Sequence, residues 1–169
     1  MIENKPKLYL YKLRDNAVTP TYGTNDSACF DIAAAFDADI PITIYDCHNQ
    51  KRTHFGDVIW IDAGERALIP TGWIFGIPEG YSMRIHPRSG LSLKNGIVLA
   101  NAEAVIDADY INETFIMLHN ISSEVFKIET GMRLAQGELV EKIDHSFEIK
   151  YNTLPQETTR SGGLGSTGI

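Results

Sequence analysis

The chain has 169 residues, 43% hydrophobic and 22% charged, with a net charge of −7 at neutral pH. That balance fits one soluble domain with a real core. The negative charge argues against broad affinity for a nucleic-acid backbone and no apolar run is long enough to span a bilayer, but a small anionic ligand held by a local arginine cluster or a bound cation stays open.

The start, MIENKPKLYLYKL, lacks the apolar stretch of a secretory signal. The sequence therefore predicts an intracellular, cytoplasmic chain, in the host cytoplasm if the source is viral. Cys29 and Cys47 form no CxxC pair and are too few to staple a fold, so they read as reduced thiols. The histidines, His48, His54, His86, His119 and His145, show no HxxxH spacing and no partnering cysteine cluster. They predict no zinc site built by the protein.

Short apolar blocks and alternations, separated by turn residues, predict strands at 7–13, 40–46, 57–62, 66–77, 81–87, 97–101, 113–120, 125–129, 132–143 and 146–152. The breakers between them include DAGE, IPEG, RSGLSLKNG, DADYIN, ISSE and ETG. One helix-like turn is expected over 90–95, capped by Ser89 or Ser92. Short strands at this spacing predict an all-β barrel or jelly roll. The expected organisation is one domain over 1–150, then an arm from about residue 151 that ends RSGGLGSTGI.

Four stretches carry candidate chemistry. In PRSGLSLKNGI, Pro87 stops a strand, Gly90 lets backbone approach a ligand, and Arg88 and Ser89 offer donors to an anion; an ordinary capped basic turn would look the same. In NAEAVIDADYINE, Asp107 closes the apolar AVI run, where a half-buried carboxylate can hold a water as general base. An Asp-rich hairpin turn is the plainer alternative. In GMRLAQGELVE, Gln136 is an uncharged polar residue in an apolar strand, a place where Gln commonly satisfies neighbouring backbone. The glycine tail is either a frayed end or a surface that wraps phosphate.

Together with SACFDIAAA near the front, these stretches resemble, in order, the five motifs of the homotrimeric dUTPases, the deoxyuridine triphosphate nucleotidohydrolases, over about residues 27–169. The resemblance implies a jelly-roll-like β-barrel that assembles as a homotrimer with active sites at subunit interfaces. It implies hydrolysis of dUTP to dUMP and pyrophosphate with Mg2+ on the triphosphate, a charge-dispersed reaction that depends on positioned donors. Such an activity limits uracil in DNA and supplies dUMP for dTMP synthesis. Asp107 matches the base that orients a water at the α-phosphorus. Tyr110 matches the ring under deoxyribose, and the hairpin from Asn101 through Val105 and Ile106 matches the reader of the uracil edge. Arg88, Ser89, Gly90 and Gln136 match phosphate contacts, and Asp31 matches the carboxylate that meets the metal through water.

The same resemblance makes the tail a lid over a neighbouring subunit's nucleotide. It would supply Arg160, Gly163, Leu164, Gly165, Ser166 and Thr167. Leu164 stands where the family usually has Phe, and Arg160 lies one residue nearer the glycine pair than the family arginine. Cys29, Ala104 and Asn112 each stand where the family prefers Gly. The segment IPITIYDCHNQKRTHFGDVIW, residues 40–60, is extra chain whose alternation predicts an added β-hairpin, either decoration or a surface for a protein partner. Two other functions share the fold or the ligand. One is dCTP deamination, for which Glu103 is the candidate catalytic glutamate although the IDADY and LAQ wording fits the dUTPases better; the other is nucleotide-dependent binding without catalysis, with the inserted hairpin as the contact surface.

Overall fold

A computed structural model describes residues 5–151. Its strands are β1 (Tyr9–Lys12), β2 (Thr21–Tyr22), β3 (Phe30–Ala33), β4 (Ile42–Tyr45), β5 (Lys51–His54), β6 (Val58–Ile61), β7 (Arg66–Pro70), β8 (Trp73–Gly76) and β9 (Tyr81–Pro87). After the helix α1 (Ser89–Asn95) come β10 (Ile97–Leu99), β11 (Ala104–Ile106), β12 (Phe115–Asn120), β13 (Phe126–Glu129) and β14 (Arg133–Glu141). They pair antiparallel into two five-stranded sheets, ordered β10-β12-β7-β4-β5 and β11-β9-β14-β3-β2. Two ribbons, β1 with β8 and β6 with β13, complete the all-β architecture.

Period-two alternation sets which face is buried. Ile42 and Ile44 of β4, Ala67 and Ile69 of β7, and Ile116 and Leu118 of β12 share one core with Phe30, Ile32, Met83 and Ile85 of the other sheet. Phe30 stacks on Phe75 of β8 with ring centroids 6.1 Å apart, so the β1–β8 ribbon is tied into the same core. Each such large side chain contributes roughly 1.5–3 kcal/mol by leaving water.

Residues 66–77 form two strands rather than the single expected one. Gly72 turns the chain at φ 72°, and a Cβ there would lie 2.6 Å from that of Ala17. Only glycine fits both conditions. The alternating stretch SFEIKYN forms no strand over residues 146–151; Phe147 is 90% exposed, so the pattern has no sheet face to cover. Conversely β3 and β11 form where the sequence showed no strand. An alanine-rich run hides the period in one, and three residues are too few to show it in the other. α1 starts at Ser89 with Arg88 at its N-cap and no side-chain cap, while the Ser92 hydroxyl bonds the Ile97 carbonyl at 3.2 Å. Neither serine caps the helix.

Within residues 40–60, β4 and β5 pair as an antiparallel hairpin, and β4 also pairs with β7. This hairpin extends the first sheet. It is anchored by the Glu65 carboxylate, which accepts from Arg52 Nε at 2.9 Å and Nη2 at 2.6 Å.

Candidate functional site

Three adjacent strands gather residues far apart in the chain. Asp31 on β3 pairs with Gln136 on β14, which pairs with His86 on β9, and Arg88 follows directly after β9. The Asp31 carboxylate lies between two guanidiniums, 3.1 Å from Arg88 Nε and 2.7 Å from Arg133 Nη1. Arg88 also donates from Nη1 to the Arg133 carbonyl at 3.0 Å. Gln136 Nε2 donates to the Pro87 carbonyl at 3.0 Å, which fixes the turn that presents Arg88. Asp31, Arg88 and Gln136, with Ser89, Gly90 and the α1 residues Lys94 and Asn95, line a cleft of about 360 Å³; Arg133 braces Asp31 without lining it.

Gly90 has neither a positive φ nor a crowded Cβ direction, and a Cβ there would meet no heavy atom within 4 Å. The chain's own packing does not require glycine at this place. The space beside the Gly90 backbone is open on the cleft side.

A second cleft, of about 320 Å³, holds Asn101, Val105, Ile106, Asp107 and Tyr110, walled by Phe115 and Met117. Here β11 is the edge strand of its sheet, so its outward backbone groups have no strand partner among the described residues. Asp107 is exposed in the single chain, not half-buried, because it follows the last residue of this edge strand. The Asp107 carbonyl accepts from the Tyr110 N–H at 3.1 Å, and the Tyr110 hydroxyl donates to the Glu113 carbonyl at 2.9 Å. Glu113 is in turn clamped by Arg14 and accepts from the Gly72 N–H at 2.8 Å, which roots the loop in the core. The hydrogen bond to Glu113 raises the Arg14 pKa above its ordinary value.

The two clefts share no lining residue. Ile106 pairs with Met83 near the start of β9, whereas Arg88 follows its end. The intervening strand from Met83 to Arg88 spans about 17 Å. Asp107 and Arg88 of one chain therefore do not converge on one phosphorus. Arg160, Gly163, Leu164, Gly165, Ser166 and Thr167 lie outside the described residues.

Asp31 is the one carboxylate among the residues that line the first cleft. Such a donor set holds no bare ion, but it suits Mg2+ that arrives with phosphate oxygens and water in its shell. Lys94 and Arg133 were missed as site residues in the sequence. Lys94 follows Arg88 by under two helical turns within the same motif, a spacing that could have pointed to it; Arg133 reaches Asp31 only through strand pairing. Glu103 lies outside the hairpin cleft, 3.4 Å from Arg84 Nη1 and 3.6 Å from His86 Nδ1.

A family model described as dUTPase matches residues 56–168, beginning inside the extra segment. A deoxyuridine 5'-triphosphate nucleotidohydrolase of Rhizobium etli (strain CIAT 652) is 37% identical over 170 residues, covering 99% of this chain and 97% of that protein. One from Rickettsia bellii (strain OSU 85-389) is 40% identical over 150 residues, 89% of this chain and 87% of the relative. Among solved structures, the Staphylococcus bacteriophage 80alpha dUTPase with dUpNHpp has a similar fold, with a TM-score of 0.74 at 23% identity, covering 96% of this chain and 99% of the other. Five motifs in order, the two-sheet fold and relatives that span nearly the whole chain converge on one conclusion: the chain belongs to the dUTPase family.

Proposed function

We propose that the protein hydrolyses dUTP to dUMP and pyrophosphate, in a site completed between subunits of a homotrimer. One observation carries this reading. A dUTPase-family chain bears a nucleoside-type cleft ending in a carboxylate and a separate phosphate-type cleft with two cations, too far apart to serve one substrate alone.

In this reading the free edge of β11, from Asn101 through Val105 and Ile106, offers backbone donors and acceptors to the uracil edge, as a sheet edge does to a strand. The Tyr110 ring packs under deoxyribose. Asp107 takes a proton from a water that attacks the α-phosphorus, and the bond from that phosphorus to the bridging oxygen breaks as pyrophosphate leaves. Arg88, Ser89, Gly90 and Gln136 from another subunit hold the phosphate oxygens in place. Asp31 is the residue to hold the waters of a phosphate-bound Mg2+, which when bound neutralises charge on the triphosphate. The arm residues Arg160, Gly163, Leu164, Gly165, Ser166 and Thr167 close over the nucleotide of a neighbour and exclude water.

The product dUMP can feed dTMP synthesis, and removal of dUTP limits uracil in DNA. No helix among the described residues is long and apolar enough to cross a membrane; a cytoplasmic setting agrees with a nucleotide substrate. Pyrophosphate release from dUTP, dCTP, dTTP and UTP, with and without Mg2+, tests the reading. The expected result is selective turnover of dUTP that depends on Mg2+. Ammonia release from dCTP, or dUTP binding without turnover, would overturn it.

A further inference from the structure

The outer face of the sheet that holds Asp31 carries a second cluster. Phe30, Ile32, Ile85 and Gly137 turn inward, so the alternate residues Cys29, His86 and Glu138 turn outward together. We propose that Cys29, His86 and Glu138 form a binding site for a transition-metal ion, Zn2+ or a comparable borderline-soft divalent ion. The sequence pointed to no such site.

The geometry supports three ligands. Cys29 Sγ, a His86 ring nitrogen and a Glu138 carboxylate oxygen all lie within 4.8 Å of one another. Ligands about 2.0–2.3 Å from a tetrahedral zinc sit roughly 3.3–3.8 Å apart, so side-chain rotation closes the site without moving the strands. His86 Nε2 faces Glu138 Oε1 at 3.0 Å, while its Nδ1 faces Glu103 Oε1 at 3.6 Å. One ring nitrogen is thus turned to the ligand cluster and the other toward a carboxylate, the arrangement that orients a metal-bound imidazole. Arg84 Nη1, 3.4 Å from Glu103 Oε2, holds that carboxylate in turn.

The donor chemistry selects the ion. A thiolate, an imidazole and a carboxylate favour Zn2+ or Co2+ over Mg2+, which prefers oxygen ligands and retains its water. Burial, and then the charge of Glu138, make the Cys29 thiol hold its proton more tightly than an ordinary cysteine. Metal binding replaces that proton: the S–H bond breaks, a sulfur–metal bond forms, and one proton goes to solvent. Water completes the coordination. Because Cys29 and Asp31 share one face of the chain around β3, the ion would lie beside the phosphate cleft but on its own ligands.

Titration of the metal-stripped full chain with Co2+ tests this directly. Binding should produce a thiolate-to-cobalt absorption band that saturates at one ion per chain, is displaced by Zn2+ and is unaffected by excess Mg2+. Glu103→Gln should weaken Co2+ binding by about 10- to 100-fold, the usual effect of losing an outer-shell partner. Cys29→Ser should abolish the band, and Glu138→Gln should weaken binding by more than Glu103→Gln does. Cys47→Ser, which changes the other, exposed thiol, should leave the titration intact. Melting curves without metal identify which variants fold; should Cys29→Ser misfold, Glu138→Gln and Cys47→Ser still decide the matter. No thiolate band in the parent, a band that survives Cys29→Ser, or a band lost with Cys47→Ser would overturn the proposal.

Discussion

Arg88 and Asp31 meet at 3.1 Å between Nε and Oδ1, while Arg133 occupies the other carboxylate oxygen at 2.7 Å. Asp31 thus sits between two cations and holds Arg88, which lines the same cleft, by an ion pair. Asp31→Asn keeps the shape but weakens both charge-assisted bonds and the contact to metal-bound water. The Mg2+ concentration for half-maximal dUTP turnover should rise by about 10- to 100-fold. Unchanged Mg2+ dependence would remove Asp31 from the metal's surroundings.

Gly90 allows a test in which stability and activity move in opposite directions. It lies inside the first turn of α1, where alanine is favoured over glycine by up to about 1 kcal/mol, and a methyl group there meets nothing in the free chain. Gly90→Ala should therefore melt at the same temperature or higher. Its kcat/KM for dUTP should nonetheless fall at least tenfold, roughly the effect of a displaced substrate. A variant that is destabilised and fully active would show that Gly90 serves the fold.

Local sequence pattern made part of this molecule legible. Strands such as β4, β7, β9 and β12 announce themselves because one face meets core and the other does not, so alternation survives in the sequence. The motif residues were legible through their wording: Arg88, Asp107, Tyr110 and Gln136 lie in short stretches that resemble a family. Relationships created by strand pairing were not legible. His86 and Glu138 are 52 residues apart yet touch at 3.0 Å, and only the register of β9 against β14 makes them neighbours. Arg133 reaches Asp31 by the same route.

The hairpin at residues 40–60 supplies a pH-dependent prediction through Arg52 and Glu65. Burial pushes the Glu65 carboxyl up, but hydrogen bonds from Arg52 and the Asp62 N–H, with the Arg52 charge, outweigh it and hold its pKa below the ordinary value. A lowered folded-state pKa contributes stability above the unfolded value, near 4.3 for a glutamate by rough standard, and that contribution is lost as pH falls through the folded value. Arg52→Ala leaves a buried carboxylate short of donors and should cost about 1–3 kcal/mol at neutral pH. The gap in melting temperature from the parent should shrink as pH falls below the glutamate range. A gap that is constant from neutral to acid pH would mean that Arg52 acts through packing alone.

The separation of the two clefts leads to a test of assembly that does not depend on how tightly any one residue binds. Asp107→Asn should lower turnover by about 10²–10⁴, as loss of a general base does, and Arg88→Ala should lower it by removing a phosphate clamp. Each purified variant is then nearly inactive, but for different reasons. Light scattering should give each a mass near three times 18.8 kDa. If Asp107 of one subunit works with Arg88 of another, subunit exchange between the two variants should create sites that combine an intact Asp107 with an intact Arg88. Random exchange at equal concentrations would restore roughly a quarter of the sites of a symmetric trimer. If both residues served a site within one chain, every chain would carry one defect and mixing would restore nothing. Differently tagged subunits that co-purify would verify exchange; under those conditions, no recovery above the sum of the two variants would reject the shared site.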